Sequence, residues 1–238
     1  MKPVAHKMAD VDVVVNQWGM LYRFFTICFA CPDESTHRWW KDTGSIDEVL
    51  GIVSSLDGTE ELVKQITPKF EDLVTRFSLL TFEEFESTYT AMFVCGVPQV
   101  LCPPYSSLYS SADDDKRLAE IHNVNNFYEE YGMVISGEYR DLPDHACVEF
   151  EFLQYLEYEA ESARASGQYD QVDFFQKAVL EFMNGHVLKL VDGMFAVSKT
   201  IEPNNVYCQI VDIVKDIIHF DHEHRVTIAQ NQTSIQKG

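Results

Sequence analysis

The chain is organised around the segment from Thr81 to Leu156, which closes with residues 143–153, PDHACVEFEFL. The segment opens with a helix start at Thr81, passes through a proline-broken loop at residues 95–107, CGVPQVLCPPYSS, and ends in the helix that follows Pro143. It carries polar and aromatic residues beside prolines and glycines, whereas the sequence on either side has the apolar spacing of packed helices. A functional site is therefore expected here first.

Apolar periodicity predicts helices along most of the chain. From Val11 to Ala30, apolar residues recur at i, i+3, i+4 and i+7, the spacing of an amphipathic helix. No segment shows sustained alternation of polar and β-branched residues, so we expect an all-helical protein. It is expected to form a single multi-helix domain over residues 1–226, with a polar, flexible tail over residues 227–238. The predicted helices cover residues 11–30, 37–41, 46–56, 60–77, 81–96, 112–131, 143–165, 168–191 and 205–225.

Prolines and capping residues refine several of these helices. Pro68 lies inside a predicted helix and has no backbone N–H, so we expect a kink or two shorter helices there. Thr81 followed by Glu84 is a capping-box pattern, in which each residue satisfies a free N–H at the helix start. Three prolines in residues 97–109 argue against a helix or a central strand and predict an ordered loop. Pro143 suits the first turn of the next helix, where its missing N–H is not needed.

The composition is strongly acidic. The chain has 38 acidic and 18 basic residues, a net charge of −20, which disfavours binding to nucleic acid because phosphates require Lys and Arg. The charge suits a basic partner, or it serves solubility alone. Residues 1–10 lack a signal-peptide apolar core, and no apolar run reaches the length of a membrane span. We therefore expect a cytoplasmic protein without direct membrane insertion, whose six cysteines are reduced thiols.

Familiar catalytic motifs do not occur in the sequence. The phosphate-binding patterns GxxxxGKS/T and GxGxxG, the nucleophile elbow GxSxG and the zinc motif HExxH are all missing. We therefore expect no catalytic residue, no metal, no bound cofactor and no enzymatic activity. The main alternative is a helical metal-dependent hydrolase in which His219, His222 and Glu223 bind the metal ion. Nucleotide binding or hydrolysis is a weaker alternative, to which no residue is assigned. Cys28 and Cys31 form a single CxxC, without the second pair that a zinc site needs.

Residues 143–145, PDH, beside the proline-rich loop are the sharpest candidate site. Asp144 lies where a helix N-terminus stabilises negative charge, and Glu149, four residues after His145, can supply a carboxylate partner to the imidazole. Such a pair could hold a peptide, whereas simple helix capping is the alternative interpretation. Prolines cost little entropy to order, so the loop could present a preformed surface. Aromatic residues of the type enriched in interfaces lie near loops or helix ends at Tyr105, Tyr109, Tyr128 and Tyr131.

These residues follow one another in a specific order and spacing. The order is Glu86, Tyr89, Met92, Phe93 and Gly96, then Pro103, Pro104, Tyr105, Ser107 and Tyr109, then Tyr128 and Gly132, then Pro143, Asp144, His145 and residues 149–153. The combination resembles the TorD/DmsD/NarJ family of molybdoenzyme maturation chaperones over about a third of the chain. Phe182, His186 and Tyr207 are weaker matches. Two positions depart from the family, since Ser106 stands where an acidic residue is common and Met92 where leucine is common.

The resemblance implies an all-helical cytoplasmic chaperone. Such a protein would bind the twin-arginine leader, or the apo form, of a molybdoenzyme catalytic subunit, delay its export and assist cofactor insertion. Both a monomer and a domain-swapped dimer are compatible with helical hairpins joined by loops. By the same resemblance, the leader contacts would come from Tyr105, Ser107, Pro143, Asp144 and His145. The supporting residues would be Glu86, Tyr89, Phe93, Pro104, Tyr109, Tyr128, Gly132 and Glu149. Replacing Asp144 or His145 with alanine is then expected to weaken peptide binding without unfolding the protein.

Overall fold

Helices make up most of the computed structural model, which describes residues 15–96, 99–137, 139–201 and 205–236, with side chains up to Asn231. Two π-helical turns are also present, at Thr90–Val94 and Met183–Val187. The prediction of an all-helical protein is confirmed. The helices are α1 Gln17–Phe29, α2 Glu34–Lys41, α3 Thr43–Ser54, α4 Glu60–Leu79, α5 Phe82–Tyr89, α6 Ser106–Ser110, α7 Asp114–Glu130, α8 Ala146–Ala165, α9 Tyr169–Phe182, α10 Leu188–Ser198 and α11 Val206–Gln236.

Local capping chemistry sets several helix ends where the sequence predicts them. The capping box of α5 is present, since Thr81 Oγ1 accepts from the Glu84 N–H at 3.2 Å and Glu84 Oε2 accepts from the Thr81 N–H at 2.8 Å. Gly132 ends α7 with φ of 82° and Gly167 ends α8 with φ of 71°. These left-handed conformations favour glycine because it has no Cβ.

Pro68 does not divide α4, so of the two predicted outcomes the two shorter helices are wrong, and the kink stays a prediction. The helix runs unbroken from Glu60 to Leu79 with Pro68 inside it. A proline removes one hydrogen bond of the helix, but packing of a continuous apolar face can outweigh that loss. That face consists of Leu62, Ile66, Phe70, Leu73 and Phe77, all buried.

Three other segments are more helical than the sequence predicts. A short helix, α6, interrupts the expected loop at Ser106–Ser110. The helical segment that begins at Tyr169 continues through a π-helical turn to Ser198 rather than ending near Val191. The last helix continues to Gln236 rather than ending near Arg225. The division into a domain and a flexible tail stays a prediction.

Some predictions concern residues outside the described part of the chain. Four predictions are affected: that residues 1–10 hold no signal-peptide core, that the first helix starts at Val11, that Pro98 helps to stop a helix, and that Pro203 precedes the last helix. The last two residues of the predicted tail also lie outside the described part.

Helix α8 forms the centre of the fold because it is buried on two sides. Phe150 packs against α1, with its ring centroid 5.3 Å from that of Phe25. Phe152 faces the other way, 4.7 Å from Tyr128 of α7 and 4.8 Å from Phe182 of α9. All these rings except that of Phe25 belong to helices that follow the proline-rich loop. The packing therefore draws the N-terminus of α8 and the residues that precede it into the interior of the protein.

None of the described helices combines the length and the apolar character that crossing a membrane requires.

Candidate functional site

The proline-rich loop is fastened to the N-terminus of α8 by a short antiparallel bridge between Tyr105 and His145. The Ser106 N–H donates to the Asp144 carbonyl at 3.1 Å, and the Ala146 N–H donates to the Pro104 carbonyl at 2.8 Å. Further back in the loop, the Cys102 N–H donates to the Met92 carbonyl at 2.8 Å. These contacts bring the two motifs that the sequence separates by about forty residues into direct contact.

The bridge also changes where α8 begins. The helix starts at Ala146 with His145 as its N-cap, so the prediction that Pro143 lies in the first helical turn is wrong. The backbone before Ala146 is extended because it pairs with the loop, and His145 has φ of −71° and ψ of 139°. Pro143 instead offers its carbonyl to the Tyr128 hydroxyl, which donates to it at 2.9 Å.

Asp144 is an internal residue with none of its side chain exposed. Its Oδ2 accepts a hydrogen bond from the Ser107 N–H at 3.1 Å. That N–H belongs to the first turn of α6, where backbone donors have no partner within the helix. The carboxylate therefore caps α6 from outside, which explains why a helix forms within this proline-rich segment.

Glu149 does not pair with His145, so that prediction is wrong. The His145 Nδ1 instead accepts from the Cys147 N–H at 3.1 Å. Both carboxylate oxygens of Glu149 are buried without a hydrogen-bond partner, as are Asp144 Oδ1 and the Ser106 hydroxyl. Burial raises the pKa of Glu149 well above its ordinary value, and the nearby Asp144 charge raises it further. The interior of the fold therefore favours the protonated, uncharged form of Glu149.

A groove of about 980 Å³ lies in front of the bridge. One wall comes from α5 and its π-helical turn, and another from the loop and α6. The end of α10 and the residues after it close the third side. The lining is largely apolar and aromatic, and its residues are Tyr89, Phe93, Val94, Gln99, Val100, Leu101, Pro103, Tyr105, Leu108, Tyr109, Arg117, Asp141, His145, Val197, Thr200 and Ile201.

Asp141 places an exposed carboxylate at this groove. Its Oδ1 accepts a hydrogen bond from the Tyr105 hydroxyl at 2.8 Å and another from the Leu142 N–H at 2.8 Å. Burial and the Asp141 contact raise the pKa of Tyr105 above its usual value, so the phenol stays protonated and donates. Arg117, the basic residue of the lining, bonds to Ser111 and Asp114. Asp141 is thus positioned to meet a cationic group from a ligand.

His145 borders the same groove as a neutral ring. Burial holds its pKa below the usual range, although Asp141 and Asp144 act in the opposite direction. Since Nδ1 accepts from the Cys147 N–H, the proton of the neutral ring is assigned to Nε2. The ring stands edge-on to Tyr105 with the centroids 5.2 Å apart. The site therefore offers apolar aromatic surfaces, an N–H donor and a carboxylate.

Comparison with known proteins places the loop, the bridge and α8 within one family. Residues 57–196, more than half of the chain, match the family described as the nitrate reductase delta subunit. The chain belongs to the nitrate reductase delta subunit family. This assignment confirms the resemblance to the TorD/DmsD/NarJ chaperones that the sequence shows.

Two assembly chaperones and one solved structure are among the proteins similar to this chain. The chain is 23% identical over 172 residues to the perchlorate reductase assembly chaperone protein of Dechloromonas aromatica (strain RCB), which covers 71% of each chain. It is 28% identical over 108 residues to the selenate reductase assembly chaperone protein of Thauera selenatis, which covers 45% of this chain and 54% of that one. A crystal structure described as a candidate redox enzyme maturation protein from Archaeoglobus fulgidus aligns with 90% of this chain and 99% of its own, at 17% identity and a TM-score of 0.44.

The residues that the family resemblance singles out divide into three sets in the structure. Five of them line the groove: Tyr89, Phe93, Tyr105, Tyr109 and His145. A second set lies beneath it in the interior: Pro104, Ser107, Tyr128, Asp144 and Glu149, with Pro143 partly buried. Glu86 and Gly132 are exposed, and Gly132 acts as the helix end described above. The family motif thus contributes both the groove surface and its support.

Sequence reasoning missed several groove residues of this family member. Asp141 precedes the PDH motif by two residues. An acidic residue just before the start of a helix was the sequence feature that could have identified it as a groove residue. The α10 side of the groove, Val197, Thr200 and Ile201, lies about ninety residues after the loop in the chain. No local pattern marks residues at such a distance as groove residues, because only helix packing brings them there.

The alternative metal site is not formed. His219 Nε2 lies 2.7 Å from Asp192 Oδ1, and His222 Nε2 lies 2.8 Å from Asn184 Oδ1, so the two rings pair with different residues. Within the described residues, no group of three His, Cys, Asp or Glu side chains could hold a metal ion. The CxxC pair is likewise divided, with Cys28 buried and Cys31 exposed. The helical hydrolase interpretation therefore has no structural support.

Proposed function

We propose that this protein is a cytoplasmic, non-catalytic assembly chaperone for a molybdenum-cofactor reductase. It binds a segment of the apo catalytic subunit, delays export of that subunit and assists cofactor insertion. The assembly-chaperone names of its relatives support the class of function. The observation that carries the site is the groove, where five family-motif residues surround a surface with one exposed carboxylate, Asp141.

The chemistry of the groove favours a peptide that carries both arginine and apolar residues. Aromatic walls with few polar groups are typical of sites that bury a ligand's apolar side chains. Asp141 can accept hydrogen bonds from a guanidinium, and charge-assisted pairs of this kind are stronger than neutral ones. A net charge of −20 favours the approach of a basic segment. A twin-arginine leader has this combination of properties, and we propose it as the bound segment.

Replacement of Asp141 with asparagine is expected to weaken binding of a twin-arginine leader peptide by about tenfold, or about 1.4 kcal/mol. Asparagine keeps an oxygen that can accept from the Tyr105 hydroxyl but removes the charge. Titration calorimetry at low and moderate salt measures the change. A peptide with lysine in place of both arginines should bind wild type more weakly, since lysine cannot form the bidentate contact.

The matched control is Asp173→Asn, which removes an exposed aspartate from α9, outside the groove lining. It should bind the leader as wild type does. Equal affinities of the Asp141 and Asp173 variants would rule out Asp141 as the arginine contact. Asp144→Ala is less informative than the sequence suggests, because it leaves the Ser107 N–H unpaired in the interior. A leaderless apo subunit that still binds as tightly would move the proposal from the leader to the body of the client.

A further inference from the structure

Gly193 of α10 lies directly against the ring of Tyr109. A Cβ placed on Gly193 would lie 2.3 Å from Tyr109 Cγ, 2.3 Å from Cδ1 and 2.7 Å from Cβ. Non-bonded carbon atoms prefer separations of about 3.5–4.0 Å, so no side chain fits at position 193 while the ring stays in place. Glycine in a helix interior is less stable than alanine, which indicates that this close approach has a structural reason.

The Tyr109 ring is held on its other sides as well. Its hydroxyl donates to the Pro103 carbonyl at 2.8 Å and lies 3.7 Å from Cys102 Sγ. Cys102 is fully buried, and its thiol donates to the Met194 carbonyl at 3.6 Å. Tyr109 therefore covers a buried thiol and is tied to the loop. If the Tyr109 ring were pushed away from α10, it would move into the groove, because Tyr109 is itself part of the groove lining.

We propose that Gly193 determines which peptide side chains the groove accepts. Because Gly193 has no side chain, the Tyr109 ring packs directly against α10, and this position of the ring leaves room in the groove for a bulky apolar side chain of the bound peptide. This inference rests on the proposed function. The cationic residue of the peptide lies at Asp141, and the bulky residue occupies the space beside Tyr109 and the end of α10. Any side chain at position 193 displaces the ring into that space and reduces what the groove accepts.

The test compares Gly193→Ala with Gly51→Ala, a matched control. Gly51 also lies within a helix, α3, but a Cβ there meets nothing within 4 Å. Two leader peptides are used, one with phenylalanine close to the arginine pair and one with alanine in its place. Wild type and Gly51→Ala should prefer the phenylalanine peptide by about tenfold, and Gly193→Ala should bind both peptides equally. A preference retained in Gly193→Ala would overturn the inference.

Cys102 reports the position of Tyr109 without any peptide. In a background with the other five cysteines replaced, Cys31, Cys95 and Cys208 by serine and the buried Cys28 and Cys147 by alanine, the rate at which Cys102 reacts with a thiol reagent should rise at least tenfold in Gly193→Ala and stay unchanged in Gly51→Ala. An unchanged rate in Gly193→Ala would show that the ring has not moved and would overturn the inference. If wild type binds neither peptide, the proposed function is wrong, and so is the role of Gly193 in specificity. The Cys102 rate would still show whether Gly193 determines the position of the Tyr109 ring.

If Gly193→Ala fails to fold, the double variant Gly193→Ala/Tyr109→Ala tests whether the clash with Tyr109 is the cause. Removing the ring removes the clash, so the double variant should recover a thermal midpoint close to that of Tyr109→Ala alone. Its affinity for the phenylalanine peptide should equal that of Tyr109→Ala alone, because without the ring a Cβ at position 193 has nothing to displace. A double variant that melts as low as Gly193→Ala would show that the contact with Tyr109 is not the cause.

Discussion

Replacing Arg225 with methionine is expected to lower the free energy of unfolding by about 3–5 kcal/mol. The guanidinium is buried between helices, where Nε donates to Asp221 Oδ1 at 2.7 Å and Nη2 donates to Glu157 Oε1 at 2.7 Å. Both carboxylates are at most 1% exposed. Without Arg225 they would remain in the interior with their main positive partner removed, which is more costly than the loss of an ordinary hydrogen bond. Urea unfolding at constant pH measures the change.

Arg164→Met is the matched control for this prediction. Arg164 also bonds to a carboxylate on its own helix, with Nε 3.3 Å from Glu161 Oε1, but half of its side chain is exposed. An ion pair in that position contributes at most about 1 kcal/mol. The double variant Arg225→Met/Asp221→Asn should recover part of the loss because it removes one of the two uncompensated charges. A loss no larger in Arg225→Met than in Arg164→Met would contradict the prediction.

The stability of the wild type relative to Glu149→Gln is expected to fall as the pH rises. Burial raises the pKa of Glu149 in the folded protein well above 4.5, so the folded protein keeps a proton that the unfolded chain releases. The contribution to stability is fully present below the unfolded-state pKa. It is lost from about pH 4.5 upward by about 1.4 kcal/mol per pH unit, until the folded-state pKa is passed.

Glutamine at position 149 has no proton to lose, so the variant should become the more stable protein at neutral and alkaline pH. Its amide also supplies donors to a site with unpartnered oxygens on Asp144 and Ser106. The unfolding free energy of the wild type minus that of Glu149→Gln, measured at intervals from pH 5 to pH 8, should fall steadily. Glu86→Gln, which neutralises an exposed carboxylate of α5, should follow the wild type. Parallel curves for wild type and Glu149→Gln would show that Glu149 does not hold this proton.

The sequence predicts the helices of this protein well because the signals that form a helix are local. The apolar spacing of α1, the capping box of Thr81 and Glu84, and the glycines that end α7 and α8 act within about four residues of one another. The order of the family motif likewise identifies the two segments that meet at the Tyr105–His145 bridge. For the helices and their caps, residues that are neighbours in the sequence are also neighbours in the structure, whereas the bridge itself joins residues about forty positions apart.

The role of each motif residue depends on tertiary packing instead. Asp144 and Asp141 are three residues apart and chemically identical, yet one is buried as a cap for α6 and the other is exposed at the groove. The difference arises because α8 is buried on two sides and carries its N-terminus into the interior. Glu149 lacks the histidine partner that its spacing predicts, since the bridge keeps His145 outside the helix.

The sequence by itself determined an all-helical chain, its capping signals and its family. Only the tertiary structure decided which carboxylate faces the groove and which residue of α10, Gly193, packs against Tyr109 of α6. The physical reason is that helix formation depends on interactions between near neighbours. A groove between α5, α6 and α10 depends on contacts across large separations in the chain, which no local pattern records.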